Sequence, residues 1–307
     1  MFTIETLLQK SPKELFGDNP EREYKRLAAL CHPDLGGSPE LFKLLEEKYF
    51  ELQNPIQITF GKTTFQCHKV YDGDISQIFE SGTDTFLKIS KHPSVNKFLT
   101  SEYEITTELC KYPFYSKYLQ SFQNKFEVKE GSGKNIVLLL NREKERLYSV
   151  AEVLDKHGPL DFRDAAWMLN RVMDILVYVH GCGYSHNNIT PENFLIRCSD
   201  HGGKLIGFSA ATKCGAPPNF LTKKYVGTGY YPPELESKKN GGKSSDIYML
   251  GKLAQKMIRK TDEIYHWFDV CFLPEKLRPD CIYTFQESFV KVLEKYAGPK
   301  KFRLFDM

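Results

Sequence analysis

The chain has 307 residues, enough for one large domain or for a small module and a larger one, and its 41% hydrophobic and 26% charged content describes a packed protein, not a disordered one. A formal net charge of +3 gives no basic excess of the kind that carries nucleic-acid binding. Eight cysteines without a C-x-x-C pair exclude an evident disulfide or metal framework, and apolar runs as short as Ile136 to Leu140 exclude a membrane-spanning helix.

Along the chain, residues 1 to about 53 read as helical, with breaks at Asp18-Asn19-Pro20 and between Pro33 and Pro39. Pro20 suits a first helical turn, and the spacing predicts a helix to Cys31 with Tyr24, Leu27, Ala28 and Cys31 on one face. Ser38 followed by Pro39 opens a third helix that buries Leu41, Phe42, Leu45 and Tyr49 and stops near Asn54-Pro55. Strands are expected at Ile56 to Phe60, Thr63 to Val70, Ile75 to Phe79, Thr85 to Ile89 and Asn135 to Leu140, interrupted by a helix near Val95 to Cys110. From Leu147 the pattern turns helical. Asp161 caps a long helix with Ala165, Leu169, Val172, Leu176 and Val179 inward, and a hairpin follows through Ser199 to Gly203. Two further helices run from about Ser245 to Ile258 and from Tyr283 to Tyr296. The opening MFTIETLLQKSPKELF has no basic stretch followed by an apolar one, so a cytoplasmic location with reduced thiols is expected, and no membrane partner.

His32-Pro33-Asp34 lies between two amphipathic helices, where proline stiffens the turn and the flanking polar residues anchor it. The whole arrangement resembles the J-domain of DnaJ-type co-chaperones. That resemblance implies a loop which, with Lys25 and Arg26 on the preceding helix, contacts and stimulates a DnaK-type chaperone ATPase.

Further on, His186-Asn187-Asn188-Ile189-Thr190-Pro191-Glu192-Asn193 resembles the protein-kinase catalytic loop H-R-D-L-K-P-E-N. His186, Pro191, Glu192 and Asn193 match in type, whereas Asn187, Asn188 and Thr190 replace the arginine, the catalytic aspartate and the lysine. Gly207-Phe208 falls at the magnesium-binding D-F-G, with glycine for aspartate. Pro232-Pro233-Glu234 resembles the A-P-E anchor, Asp246 opens the S-D-x-x-x-x-G helix, and Arg278 is the expected partner of Glu234. Lys88 matches the strand lysine, with Glu102 or neighbouring Glu104 as its partner; a structural ion pair and a nucleotide contact both stay open there. Tyr71 to Phe79 keeps one glycine, Gly73, where a kinase has G-x-G-x-x-G, and Asp72 and Asp74 are expected to repel phosphates unless a cation intervenes.

The expected fold is α+β: a three-helix J-domain over 1–55, then a bilobal kinase-like fold over 56–307 with a β-rich small lobe (56–140) and a helical large lobe (141–307). It looks most like bacterial or phage proteins that pair a J-domain with a degenerate kinase-like domain. Neutral Asn188 takes no proton as a carboxylate does, and Gly207 offers no oxygen to a metal. The expectation is therefore a non-catalytic adaptor needing no cofactor and no metal, at most binding ATP weakly through Lys88, Glu102 and Asn193 with little or no magnesium. Its J-domain would engage the chaperone ATPase, and its pseudokinase domain an unidentified client or regulatory protein. Two alternatives remain: an atypical serine/threonine-kinase-like phosphotransferase that uses Asn193 and another acid such as Asp200, and a non-catalytic ATP sensor. His180, His186 and His201 are set aside as a metal site. Ser209, Thr212, Thr222, Tyr225 and Thr228 read as polar loop residues, Lys223-Lys224 and Lys238-Lys239 as solvated surface, and Lys300-Lys301-Phe302-Arg303 as a fraying basic end. The 32 residues from Asp246 to Arg278 read as lacking a helix that kinases carry there.

Overall fold

The computed structural model describes residues 10, 12–60, 62–82, 85–130, 133–141, 143–237, 240–298 and 302–307. Lys238, Lys239, Lys300 and Lys301 lie outside them, as do residues 1–9. The chain divides into two compact units, Met1–Asn96 with Gln123–Arg142, and Lys97–Phe122 with Glu143–Met307.

The first unit opens with three helices: α1 (Pro12–Phe16), α2 (Pro20–Cys31) and α3 (Pro39–Gln53). Each longer helix starts as the sequence predicts. Asn19 caps α2 by accepting the Arg22 N–H at 3.3 Å, and Ser38 Oγ caps α3 by accepting that of Leu41 at 3.3 Å. Proline sits in the first turn of both, where its missing N–H costs nothing. Phe16, Leu27, Cys31 and Leu45 form the core, with Tyr24 stacked on Tyr49 at 4.1 Å and Phe16 edge-on to Tyr49 at 5.3 Å. Burial of one such apolar side chain stabilises by about 1.5–3 kcal/mol.

Between α2 and α3, Pro33–Leu35 make one 3₁₀ turn. The Asp34 N–H donates to His32 Nδ1 at 3.2 Å, and the His32 ring packs edge-on against Phe42 at 4.8 Å. Gly37 is required, since a Cβ there would sit 2.2 Å from the Cys31 carbonyl. Lys25 and Arg26 are exposed on α2, but each is paired with a glutamate one turn earlier: Lys25 with Glu21 at 2.6 Å and Arg26 with Glu23 at 2.9 Å. The positive surface expected there is therefore partly neutralised.

The same unit contains a six-stranded antiparallel sheet in the order β1-β2-β3-β4-β6-β5. Its strands are β1 (Ile56–Phe60), β2 (Thr63–Asp72), β3 (Ser76–Ser81), β4 (Thr85–Ser90), β5 (Asn124–Glu130) and β6 (Gly133–Asn141). The sheet curls until its first and last strands meet, with Phe60 stacked on Phe126 at 5.0 Å over a core of Ile58, Cys67, Phe79, Leu87 and Val137. The sequence reading missed β5. Its segment NKFEVKE carries only two apolar residues, Phe126 and Val128, and it becomes a strand by pairing with β6 along Asn124–Glu130.

The second unit holds α4 (Asn96–Leu109, from its second residue on), α5 (Pro113–Ser116), α6 (Val150–His157) and α7 (Phe162–Gly181). Four short pairing segments follow, β7 (Tyr148–Ser149) and β8 (Tyr184–Ser185), then β9 (Phe194–Arg197) and β10 (Gly202–Leu205). β11 (Thr212–Lys213) pairs with β8, and α8 (Pro233–Glu236), α9 (Lys243–Met257) and α10 (Ile282–Ala297) complete the set. Asp161 caps α7, whose residues Ala165, Leu169, Val172, Leu176 and Val179 are all buried, as predicted. α7 packs against α9 and α10. The interval before Arg278 is not empty: a ten-residue 3₁₀ segment, Glu263–Phe272, buries Ile264, Phe268 and Cys271 against α9. Gly251 permits that approach, since a Cβ there would lie 2.6 Å from Cys271 Cβ. Among the described residues this interval thus holds 3₁₀ turns and no further α-helix.

Candidate active site

The loop between β8 and β9 is held from below by one buried carboxylate. Asp246, in the first turn of α9, accepts the backbone N–H of His186 at 2.8 Å and of Asn187 at 2.8 Å, and pairs with His180 Nε2 at 2.9 Å. Three donors on one buried carboxylate rigidify the loop, because losing any of them would strand a buried charge. They also hold Asn187 at φ +60, a left-handed conformation asparagine tolerates.

His186 is fully buried between Phe208, whose ring it meets edge-on at 4.5 Å, and the chain after β10. Its Nε2–H donates to Ile206 O at 3.0 Å and its Nδ1 accepts the Asn188 N–H at 3.2 Å, so both ring nitrogens are committed and the tautomer is fixed. Burial lowers its pKa to about 4, and the ring is neutral. His201 is used elsewhere, stacked on Trp167 at 4.2 Å with Nε2 on Arg303 O at 2.7 Å. Arg303, expected to fray, instead pairs with Asp164 at 3.0 Å.

At the loop's working end, Asn188 Oδ1 accepts hydrogen bonds from Tyr231 Oη at 3.0 Å and Thr222 Oγ1 at 3.2 Å. Asn193 Nδ2 donates to Asn188 O at 3.0 Å, and the Asn193 carbonyl accepts the Ile206 N–H at 2.9 Å. Gly207 has φ +80, and a Cβ on it would lie 2.5 Å from Asn193 Oδ1. The Asn193 amide thus occupies space that an aspartate at 207 would claim. Gln120 Oε1 accepts the Gly207 N–H at 3.5 Å. Thr190 is buried, so it is part of the loop's packing. Tyr231, Thr222 and Gln120 were not singled out as site residues in the sequence, because only the fold brings those distant segments to the loop.

Several residues read as plain surface tie the following segment to the loop. Glu192 receives Tyr225 Oη at 2.6 Å and Lys224 Nζ at 2.5 Å. Burial raises its carboxyl pKa, but those two donors outweigh it and the net shift is downward. Thr212 Oγ1 accepts from Asn187 Nδ2 at 3.0 Å. Arg278 pairs with Glu234 as the sequence predicts, both side chains buried, with Ser245 Oγ also on Glu234 Oε1 at 3.1 Å.

In the first unit, Lys88 lies buried on β4, paired in register with Ile78 of β3 and Leu138 of β6. The β2–β3 turn is closed by the Gly73 N–H on Ser76 O at 2.9 Å. Asp72 at that turn is bound by Lys91 and lies 3.7 Å from Lys69. The Lys91 hydrogen bond holds its pKa below the usual carboxylate range. The cation beside Asp72 is therefore supplied by the chain itself. In the second unit Glu102 is fully buried on α4. Asp200 is committed to the β9–β10 turn, its carboxylate held by Arg197 at 2.7 Å and by the Gly202 N–H at 2.8 Å.

Residues 77–267 match the family model of the protein kinase domain. Similar relatives include serine/threonine-protein kinase F of Synechocystis sp., 28% identical over 130 residues, which are 38% of this chain and 26% of the relative. Mitosis inducer protein kinase cdr1 of Schizosaccharomyces pombe is 29% identical over 121 residues, covering 36% of this chain and 20% of the relative. Serine/threonine-protein kinase ksg1 of the same yeast is 27% identical over 175 residues, covering 53% of this chain and 28% of the relative. The chain spans about a quarter of the length of these relatives.

Two expectations are overturned by these matches. The reading of the chain as a non-enzyme gives way, since the relatives carry the names of serine/threonine kinases and share the kinase domain. The reading that no cofactor is required falls with it, since protein kinases use ATP with magnesium. Each unit contributes a residue of a suitable type. In the first unit Lys88 is a buried cation on a central strand, and in the second Asn193 Oδ1, beside position 207, is a hard oxygen of the kind that would hold magnesium. Among the described residues no helix is long and apolar enough to cross a membrane. The Asp246-anchored loop, the buried Glu234–Arg278 pair and a family match over more than half its length agree, and the chain belongs to the protein kinase domain family.

Proposed function

We propose that the chain is a serine/threonine-kinase-like phosphotransferase that moves the γ-phosphoryl group of ATP to a hydroxyl. The observation that carries this is the loop itself, in which Asp246, His186, Asn188 and Asn193 are locked by hydrogen bonds in the order the kinase pattern requires. Phosphoryl transfer is mainly positioning and charge neutralisation through a loose transition state. Lys88 would supply charge to the phosphates and Asn193 an oxygen to the metal, and Asn188, whose Oδ1 is already taken by Tyr231 and Thr222, would orient the acceptor hydroxyl through its Nδ2. A bond forms from that hydroxyl oxygen to phosphorus as the bond to the bridging oxygen breaks. ADP leaves with the electron pair, and the hydroxyl proton passes to a phosphate oxygen or to water. A general base contributes about 10²–10⁴-fold, so Asn188 makes transfer slow without forbidding it. Incubation with labelled ATP, magnesium and serine/threonine peptides should give transfer that falls at least tenfold in Lys88→Ala. Equal label in the two proteins would refute the reading.

A second reading concerns the N-terminal helices. The His32–Asp34 hydrogen bond and the exposed Leu30 and Leu35 at the loop favour a J-domain that engages a DnaK-type chaperone ATPase, in the cytoplasm, with the kinase-like domain meeting the client. Purified protein should then stimulate chaperone ATP hydrolysis, and His32→Gln should abolish the stimulation. Unchanged hydrolysis rates would remove this reading and leave the first intact.

A further inference from the structure

A cavity of about 370 Å³ in the second unit is lined by Lys224, Lys252 and Lys256 together with Tyr225, Tyr230 and Tyr265. It belongs to none of the groups assigned to phosphoryl transfer. Lys252 and Lys256 are one turn apart on α9 and share a face, an arrangement of like charges that repels. Lys256 Nζ lies 5.6 Å and 5.5 Å from the ring centroids of Tyr225 and Tyr230, and Lys252 Nζ 4.2 Å from that of Phe272. Among the described residues neither lysine has a carboxylate at ion-pair distance. The acid that acts on Lys252 is Asp269, whose oxygens are taken by Gln255 Nε2 at 3.0 Å and His266 Nδ1 at 3.0 Å. Burial lowers the Lys252 pKa, as expected of a half-desolvated ammonium without a close counter-charge. Lys224 differs, being anchored on Glu192.

An anion placed between Lys252 and Lys256 would relieve both the repulsion and the desolvation. Lysine serves as a compact point charge for phosphate. The cavity is larger than a bare ion needs and falls in the range of small-molecule sites, about 300–1,000 Å³. Its tyrosine walls favour a ligand with an organic part, while the Tyr230 hydroxyl is already committed to Ile189 O at 3.0 Å.

We propose that this cavity binds a phosphomonoester, the phosphate between Lys252 and Lys256 and the organic part against Tyr225 and Tyr265. The site stands on these lysines alone and does not depend on the transferase reading. Calorimetric titration of the full chain, without ATP, should use three probes: the peptide Gly-Ala-Ser-Ala-Gly phosphorylated on serine, its unphosphorylated form, and free O-phosphoserine. The phosphorylated peptide should bind saturably, more weakly as salt rises, and the unphosphorylated one should not. Lys256→Gln, at an exposed position, should weaken binding at least fivefold, and Lys256→Arg should retain it. Tighter binding of the peptide than of O-phosphoserine would assign a phosphorylated polypeptide, and equal binding a small phosphomonoester. No saturable heat with either phosphorylated probe, or unchanged affinity in a Lys256→Gln protein with parental circular dichroism, would overturn the proposal.

Discussion

Replacing Gly207 by aspartate, the residue the kinase pattern carries there, tests whether the site is built around the glycine. Residue 207 has φ +80, and a Cβ would lie 2.5 Å from Asn193 Oδ1 and 2.7 Å from its Cγ. Aspartate tolerates left-handed backbone better than most residues, so that strain costs about 1 kcal/mol. The Asn193 amide must also rotate away and lose its 3.0 Å hydrogen bond to Asn188 O, about another 1 kcal/mol. The total of about 2 kcal/mol should lower the melting temperature of the full chain by roughly 4–8 °C in differential scanning fluorimetry. In an Asn193→Ala background the collision is gone, and Gly207→Asp should cost only about 1 kcal/mol. A Gly207→Asp protein as stable as the parent, or an equal penalty in both backgrounds, would refute the idea that Asn193 fills the aspartate's space.

Arg278→Ala should cost about 3–5 kcal/mol in urea unfolding, because it leaves Glu234 buried without its partner; a loss under 1 kcal/mol would count against that pair. His186 should make stability pH-dependent. Its folded pKa of about 4 lies below the unfolded value of 6.5, so the unfolded chain binds the extra proton. Its contribution is full above pH 6.5 and is lost as pH falls toward 4, about 2 kcal/mol by pH 5, and a His186→Gln protein should lose that slope in urea titrations at pH 7 and 5. Phe16→Ala should destabilise the helical segment by about 3–5 kcal/mol, read by hydrogen exchange in α2 and α3; unchanged protection would show that the Phe16–Tyr24–Tyr49 cluster does not hold those helices.

The sequence by itself determined what local chemistry controls. Ser38 and Asp161 cap helices because their side chains reach N–H groups two or three residues away. The spacing of Leu169, Val172, Leu176 and Val179 gave the buried face of α7, and His186, Glu234, Asp246 and Arg278 gave the frame of the loop, since matching residue types at matching intervals is a one-dimensional signal. Only the tertiary structure decided which charges are neutralised and which spaces are filled. Asp72 was a repulsive charge in the sequence and is a paired one in the fold, because Lys91 follows directly after β4. Lys224 was solvated surface and is Glu192's partner. β5 became a strand through its pairing with β6, and Tyr231, Thr222 and Gln120 reached the site across dozens of residues. A hydrogen bond or an ion pair depends on distance in space, and the interval in sequence predicts that distance only within a helical turn or a hairpin.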